Sequence, residues 1–228
     1  SIDITARYLF APTKLSAENL LREGADENSI FVTGNTAIDA LRLTVREEYS
    51  SPITEAAAGK RIILLTAHRR ESHGETLRGI FRAVRRIADE FDDVMIVYPV
   101  HPNPTVRAAA EETLSGHERI MLTEPLDVIA FHNLMAKSRF IMTDSGGIQE
   151  EAPSLGKPVI VLRDVTERPE GVEAGTLRIA GTDEEKVYLA CKNLLCDEAE
   201  YAKMSAAENP YGDGKASRRI ADVLLSES

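Results

Sequence analysis

Phe140-Ile141-Met142-Thr143-Asp144-Ser145-Gly146-Gly147-Ile148-Gln149-Glu150-Glu151 is the stretch on which the fold of this chain turns. Its apolar opening reads as a buried strand, and the paired glycines lead into helical spacing assigned to 148–155. A helix starting at such a turn aims backbone N–H groups and the positive end of its dipole at the space above the strand. That arrangement holds a phosphate, and a Cβ at either glycine would keep the anion away. Ser145, Gly146 and Gly147 are therefore candidate anion-binding residues. About one helical turn further on, Glu150 or Glu151 is placed to accept hydrogen bonds from a sugar diol.

Outward from this unit the chain alternates β-branched runs with amphipathic segments. Strands are expected at 30–33, 61–66, 94–99, 119–122, 140–143, 158–162 and 177–179. Helices are expected at 16–23, 37–49, 75–90, 105–114, 125–136, 148–155, 184–195 and 199–207. Apolar strands separated by helices imply an α/β fold, a Rossmann-like doubly wound parallel sheet covered on both faces. Ser16 is assigned as an N-cap with Gly24 closing that helix, Asp183 caps the segment from Glu184, and Pro158 opens a strand. The stretch 50–59 reads as a linker. Ala216, Ile220, Val223 and Leu224 recur at helical spacing, so a final amphipathic helix is expected over 216–226.

Composition narrows the function classes. At 228 residues and 43% hydrophobic the chain can bury a substantial core. A net charge of −10 argues against nucleic acid as a partner, whereas a small phosphorylated ligand needs only a local basic cluster. Cys191 and Cys196 lack His or further Cys at ligand spacing, which argues against both a metal site and a disulfide framework and favours a cytoplasmic setting. No apolar run approaches bilayer length, so no membrane partner is expected.

Ligands of open α/β sheets bind beyond the carboxyl ends of the strands. Here those positions carry His68-Arg69-Arg70-Glu71, then Val100-His101-Pro102-Asn103-Pro104, then Arg163 through Glu170. An imidazole at His68 can bind or protonate a phosphate oxygen, and Arg163 and Arg168 can neutralise a diphosphate. Taken singly, each has a bland reading: a solvated loop for His68–Glu71, a turn for His101, core for Phe131. Their joint placement at strand ends favours a site. Asp-Ser-Gly-Gly also surrounds the nucleophile of trypsin-like hydrolases, but those are all-β, and the Gly-x-Ser-x-Gly elbow of α/β hydrolases is absent.

Phe10-Ala11-Pro12-Thr13, Phe31-Val32-Thr33-Gly34-Asn35-Thr36, His68-Arg69-Arg70-Glu71, the Pro-Val-His-Pro-Asn-Pro run from Pro99, the segment 143–151, Arg163 through Glu170, and Asn209-Pro210-Tyr211-Gly212-Asp213-Gly214 together resemble the non-hydrolysing UDP-N-acetylglucosamine 2-epimerases. The resemblance implies the second domain of a two-domain, GT-B-like enzyme. Residues 1–14 would be the end of a first domain and hinge, 15–209 a UDP-binding domain, and 210–228 a helix that packs on the first domain. It implies interconversion of UDP-N-acetylglucosamine and UDP-N-acetylmannosamine without a cofactor, for surface polysaccharide biosynthesis. Carried over, it places His68 in catalysis near the UDP leaving group and Ser145, Gly146 and Gly147 at the phosphates. Glu151 falls at the ribose, Phe131 against the uracil and Arg168 on the diphosphate. Arg69 and His101 match positions that touch a regulatory UDP-N-acetylglucosamine in some bacterial members. The family's acid/base carboxylates come from the first domain, so this chain is expected to be inactive alone, and family members are commonly homodimers. A hydrolysing relative that releases UDP and free N-acetylmannosamine, and a non-catalytic nucleotide-sugar-binding module, stay open as alternatives.

Overall fold

The computed structural model describes residues 6–68 and 74–226. By contact the chain divides into two compact units, Ser1–Leu43 with Asn209–Ser228, and Thr44–Glu208. The first unit begins with strand β1 (Leu9–Ala11), helix α1 (Lys14–Arg22) and strand β2 (Ile30–Val32), and the two short strands pair in parallel. β1 is absent from the sequence pattern, because three residues cut off by Pro12 are too few to show alternation. Thr13, not Ser16, caps α1: its hydroxyl accepts the Ser16 N–H, so the helix starts earlier than its polar spacing implies. Gly24, at φ 91°, follows the helix in the left-handed region as expected.

Helix α2 (Thr36–Thr44) stops short of the expected 37–49. Its extension is diverted within the second unit, where the Asn133 amide donates to Thr44 C=O and its oxygen accepts the Arg46 N–H. The supposed linker at 50–59 contains helix α3 (Pro52–Ala56), whose N-terminus is closed by a reciprocal capping box between Ser51 and Thr54. Pro52 sits at the start of that helix, where its missing N–H costs nothing.

The second unit continues as β3 (Arg61–Thr66), α4 (Glu75–Glu90), β4 (Val94–Pro99), α5 (Pro104–Leu114), β5 (Ile120–Thr123), α6 (Val128–Lys137), β6 (Phe140–Thr143), α7 (Gly146–Glu151), β7 (Val159–Val161), α8 (Pro169–Glu173), β8 (Leu177–Ile179), α9 (Glu184–Cys196) and α10 (Glu198–Ala206). Every strand pair is parallel, and the spatial order is β5-β4-β3-β6-β7-β8. The doubly wound sheet is therefore as the alternation implies. The chain first works outward from β3 to β5 and then returns to the other side at β6, so the crevice between β3 and β6 is the topological switch point. Both faces of the sheet are covered. Ile63, Leu65, Ile96, Tyr98, Phe140, Met142 and Ile160 pack with Leu77, Phe81, Val84 and Ile87 of α4 and Val187, Cys191 and Leu194 of α9, all at 1% exposure or less.

Several boundaries differ locally from expectation. α6 starts at Val128 and not at Pro125, because the Asp127 side chain accepts the Ala130 N–H and fixes the helix start. The segment 148–155 divides into α7 and a 3-10 turn, Ala152–Leu155, with Pro153 near its start. Helix α8, with only five residues, is too short to register in the sequence periodicity. The Asp183 cap is present, its side chain accepting the Lys186 N–H. Along the outer face, Arg82 bridges Glu75 and Glu184, while Arg86 pairs with Glu185 and lies 3.9 Å above the Tyr188 ring.

Helix α11 (Ala216–Ser226) returns to the first unit. Asp39 of α2 accepts the Ala216 and Ser217 N–H groups, placing a carboxylate at the positive end of α11. Arg219 forks onto Asp213. The helix falls at the expected span, and its outer apolar residues stay in solvent, Leu224 at 47% and Leu225 at 74% exposure. Among the described residues no helix is long and apolar enough to cross a membrane, and no three His, Cys, Asp or Glu side chains gather to hold a metal ion.

Tyr98 links this core to the rim. Its side chain is fully buried, and its hydroxyl donates to Ala67 C=O at 2.6 Å, one residue before His68. Burial, aided by the Asp144 charge, drives the phenol far above its ordinary pKa, so it acts only as a neutral donor. Tyr98→Phe removes the donor without opening a cavity. It should lower stability by about 1–2 kcal/mol in a denaturant titration, the cost of an unsatisfied buried carbonyl.

Candidate functional site at the switch point

The parallel pairing of β3 with β6 brings Thr66 level with Thr143, and their hydroxyls are 2.6 Å apart. The loops leaving these two strands therefore emerge at one height. Beyond β6, Asp144 is buried to 1% exposure and serves the loop after β3: Oδ2 accepts the His68 N–H at 2.7 Å, and Oδ1 lies 3.2 Å from His68 Nδ1. A carboxylate this close to Nδ1 holds the imidazole in one orientation at the strand end.

His101, from the loop after β4, stacks on this imidazole, with ring centroids 5.2 Å apart and planes 14° from parallel. A cleft of about 210 Å³ opens beside them, lined by His68, His101, Phe131, Ser145 and Ile148 together with Pro99, Pro102, Pro125 and Leu126. Phe131 reaches it from α6, whose opening at Asp127 sets the register of that ring. An aromatic face among prolines and aliphatic carbons is a stacking platform for a planar base.

Ser145 stands at the start of α7, and its N–H is turned onto Thr143 Oγ1. Arg168, which opens α8, lays its guanidinium against this turn: a Cβ on Gly146 would sit 3.3 Å from Arg168 Nη2. Glycine at 146 is thus what lets the guanidinium lie against the start of α7. The Arg168 loop is itself anchored, since Thr166 donates to the Gln149 side chain at 2.6 Å and accepts the Arg168 N–H at 3.0 Å.

The two carboxylates of α7 have separate fates. Glu150, 5% exposed, is engaged by Arg168 Nε. Glu151 faces His132, with Oε2 3.4 Å from Nε2, and its pKa is pushed up to about 7, first by burial and then by the Glu150 charge. Burial also lowers the His132 pKa. Both shifts favour neutral forms, which works against a full charge pair at this contact.

The structure thus gathers His68, His101, Phe131, Ser145 and Ile148 around one cleft and sets Gly146 beside Arg168. Arg69 lies outside the described residues. Arg163 pairs with Glu167 four residues on. Sequence reading misses Asp144 as the partner of His68 and His132 as the partner of Glu151. Asp144 has a usable signal, a carboxylate directly after a buried strand; a histidine inside a helix has none.

A doubly wound parallel sheet with histidines, an aromatic ring and an arginine gathered at its switch point is the architecture of the GT-B-like enzymes. The chain belongs to the UDP-N-acetylglucosamine 2-epimerase family, whose model matches residues 1–225. It is 62% identical over 216 residues to the UDP-N-acetylglucosamine 2-epimerase of Bacillus subtilis, covering 95% of this chain and 57% of that protein. Among solved structures it superposes on a Staphylococcus aureus MnaA-UDP complex with a TM-score of 0.96 at 55% identity, covering 99% of this chain and 62% of that one. A Neisseria meningitidis UDP-GlcNAc 2-epimerase bound to UDP-GlcNAc gives a TM-score of 0.90 at 41% identity, with 98% and 62% covered. The chain therefore spans about three fifths of the length of these relatives.

Glu151 gives the site a pH-dependent cost. Since its folded pKa is about 7 against an ordinary 4.5, the folded state holds the proton more tightly and stability falls as pH rises through that window. Glu151→Gln removes the titration while keeping the shape. Its Tm should match the wild type near pH 4.5 and exceed it by roughly 5 °C at pH 8, measured by thermal melts at the two pH values.

Proposed function

We propose that this chain binds the UDP moiety of a UDP-N-acetylhexosamine and supplies the leaving-group side of a UDP-N-acetylglucosamine 2-epimerase site. The observation that carries this reading is the convergence of Phe131, His68 and Ser145 on one cleft with the Arg168 guanidinium set against Gly146. In this reading uracil stacks on Phe131, the ribose diol meets Glu151, and the diphosphate lies between Arg168 and the N–H groups of Gly146 and Gly147, with the Ser145 hydroxyl beside it.

Epimerisation at C2 then proceeds by elimination and return. A base removes the C2 proton, its electron pair forms the C1–C2 double bond of a 2-acetamidoglucal, and the C1–O bond breaks with both electrons leaving on UDP. UDP adds back at C1 as a proton reaches the other face of C2. No carbonyl acidifies C2–H, so stabilising the departing β-phosphate is the task that falls to this chain. Arg168, the N–H groups at the start of α7 and His68 all address that charge. The base that works at C2 is assigned to chain outside the three fifths of the relatives matched here, as is the first-domain surface needed to close the cleft.

Calorimetric titration of UDP into the chain tests the binding half. Saturable binding is expected, weakened at least tenfold by Arg168→Ala, as loss of a charge-assisted bidentate contact requires. No binding at millimolar UDP overturns the reading. Incubated with UDP-N-acetylglucosamine, the chain alone should form no UDP-N-acetylmannosamine; turnover would refute the division of labour, and release of free N-acetylmannosamine would select hydrolysis.

A further inference from the structure

Glu151 is reached from behind by a line of side chains that starts at the end of α2. The Thr44 hydroxyl lies 2.7 Å from His132 Nδ1. On the opposite side of the same ring, Nε2 lies 3.4 Å from Glu151 Oε2, a gap that a small rotation of either side chain closes. His132 is 6% exposed, so its two nitrogens answer to protein groups and not to bulk water. Thr44 is itself fixed, because Asn133, the next residue on α6, donates to Thr44 C=O at 2.7 Å and accepts the Arg46 N–H at 2.8 Å.

The donor inventory sets the direction of this relay. Above about pH 7 Glu151 is ionised and only accepts, so an imidazole that meets it at Nε2 must carry its proton there. Nδ1 is then an acceptor, which the Thr44 hydroxyl satisfies by donating. Burial keeps the ring from taking a second proton. The neighbouring carboxylate does not compete for His132, since Glu150 is engaged by Arg168.

We propose that His132 is a positioning residue for nucleotide recognition: held by Thr44 as the Nε2–H tautomer, it donates to Glu151 Oε2, leaving Oε1 for the ribose hydroxyls and making the site select ribonucleotides over 2′-deoxyribonucleotides. The inference rests on the ribose role given to Glu151 above. It adds a source for the selectivity, located in side chains that touch no ligand. Oε1 is placed accordingly, 3.9 Å from where a Cβ on Gly147 would stand, on the cradle side of the carboxylate.

The test compares Kd for UDP and 2′-deoxy-UDP by calorimetry on the whole chain and on Glu151→Gln, Thr44→Val, His132→Gln and His132→Leu, with nitrogen-15 NMR of the histidine rings in the unliganded protein. The wild type should prefer UDP by about tenfold, as one lost hydrogen bond to a carboxylate implies. Thr44→Val and His132→Leu should bring the ratio toward one. His132→Gln should keep most of it, because its amide N–H falls near the place of Nε2–H, a rescue that a purely structural histidine would not show. Thermal melts check folding, and Thr44→Val, the mildest change, carries the test if a His132 variant is unstable. The NMR spectrum should show a single Nε2–H tautomer at His132, and an Nδ1–H tautomer overturns the proposal by itself. An unchanged ratio in both Thr44→Val and His132→Leu, with Glu151→Gln abolishing the preference, defeats the positioning role and leaves the nucleotide reading intact. A wild type that binds UDP and 2′-deoxy-UDP equally defeats the inference through Glu151, and one that binds neither brings down the proposed function with it.

Discussion

A buried carboxylate at the point where the sheet changes direction governs the rim of this protein. Asp144 leaves β6 at 1% exposure, and a charge so placed must be met by hydrogen-bond donors. The backbone N–H of His68 meets it, with the imidazole close by, so the chain just past β3 is held by a side chain seventy-six positions away in sequence. The match depends on register. Thr66 and Thr143 are level because β3 and β6 run parallel side by side, and their hydroxyl contact ties the two strand ends together where the chain divides into loops.

Around that pair, anchoring is layered. Tyr98 holds Ala67 from within the core, Thr166 holds the Arg168 loop to Gln149, and Thr44 with His132 stands behind Glu151. Each of these groups is held by a side chain from another part of the chain. Such backing fixes rotamers before a ligand arrives, so less ordering remains to be done on binding. Glu151 shows the cost of this arrangement: a carboxyl buried next to Glu150, with its pKa pushed up to about 7, destabilises the fold as pH rises through that range.

The alternation of apolar strands and helices was legible because both periods are local, and the doubly wound sheet followed from it. Boundaries were less so. The end of α2 is decided by Asn133, and the start of α6 by an Asp127 cap that competed with an attractive Pro125. α3 hid inside a stretch whose Ser, Pro and alanines read equally well as linker until the Ser51–Thr54 box formed. Short elements such as β1 and α8 carry too few residues for a period to show.

By itself the sequence determined the fold class, the glycine turn after a buried strand, and the set of His, Arg and aromatic residues at strand ends, since each follows from residue type and short-range spacing. It left Glu150 and Glu151 interchangeable. Only the tertiary structure separated them, giving Glu150 to Arg168 and Glu151 to His132. It also decided that Asp144 orients His68 and that Phe131 faces the cleft and not the core. These outcomes rest on burial and on partners brought from distant parts of the chain, and no local pattern encodes which of two adjacent carboxylates a folded neighbour will reach.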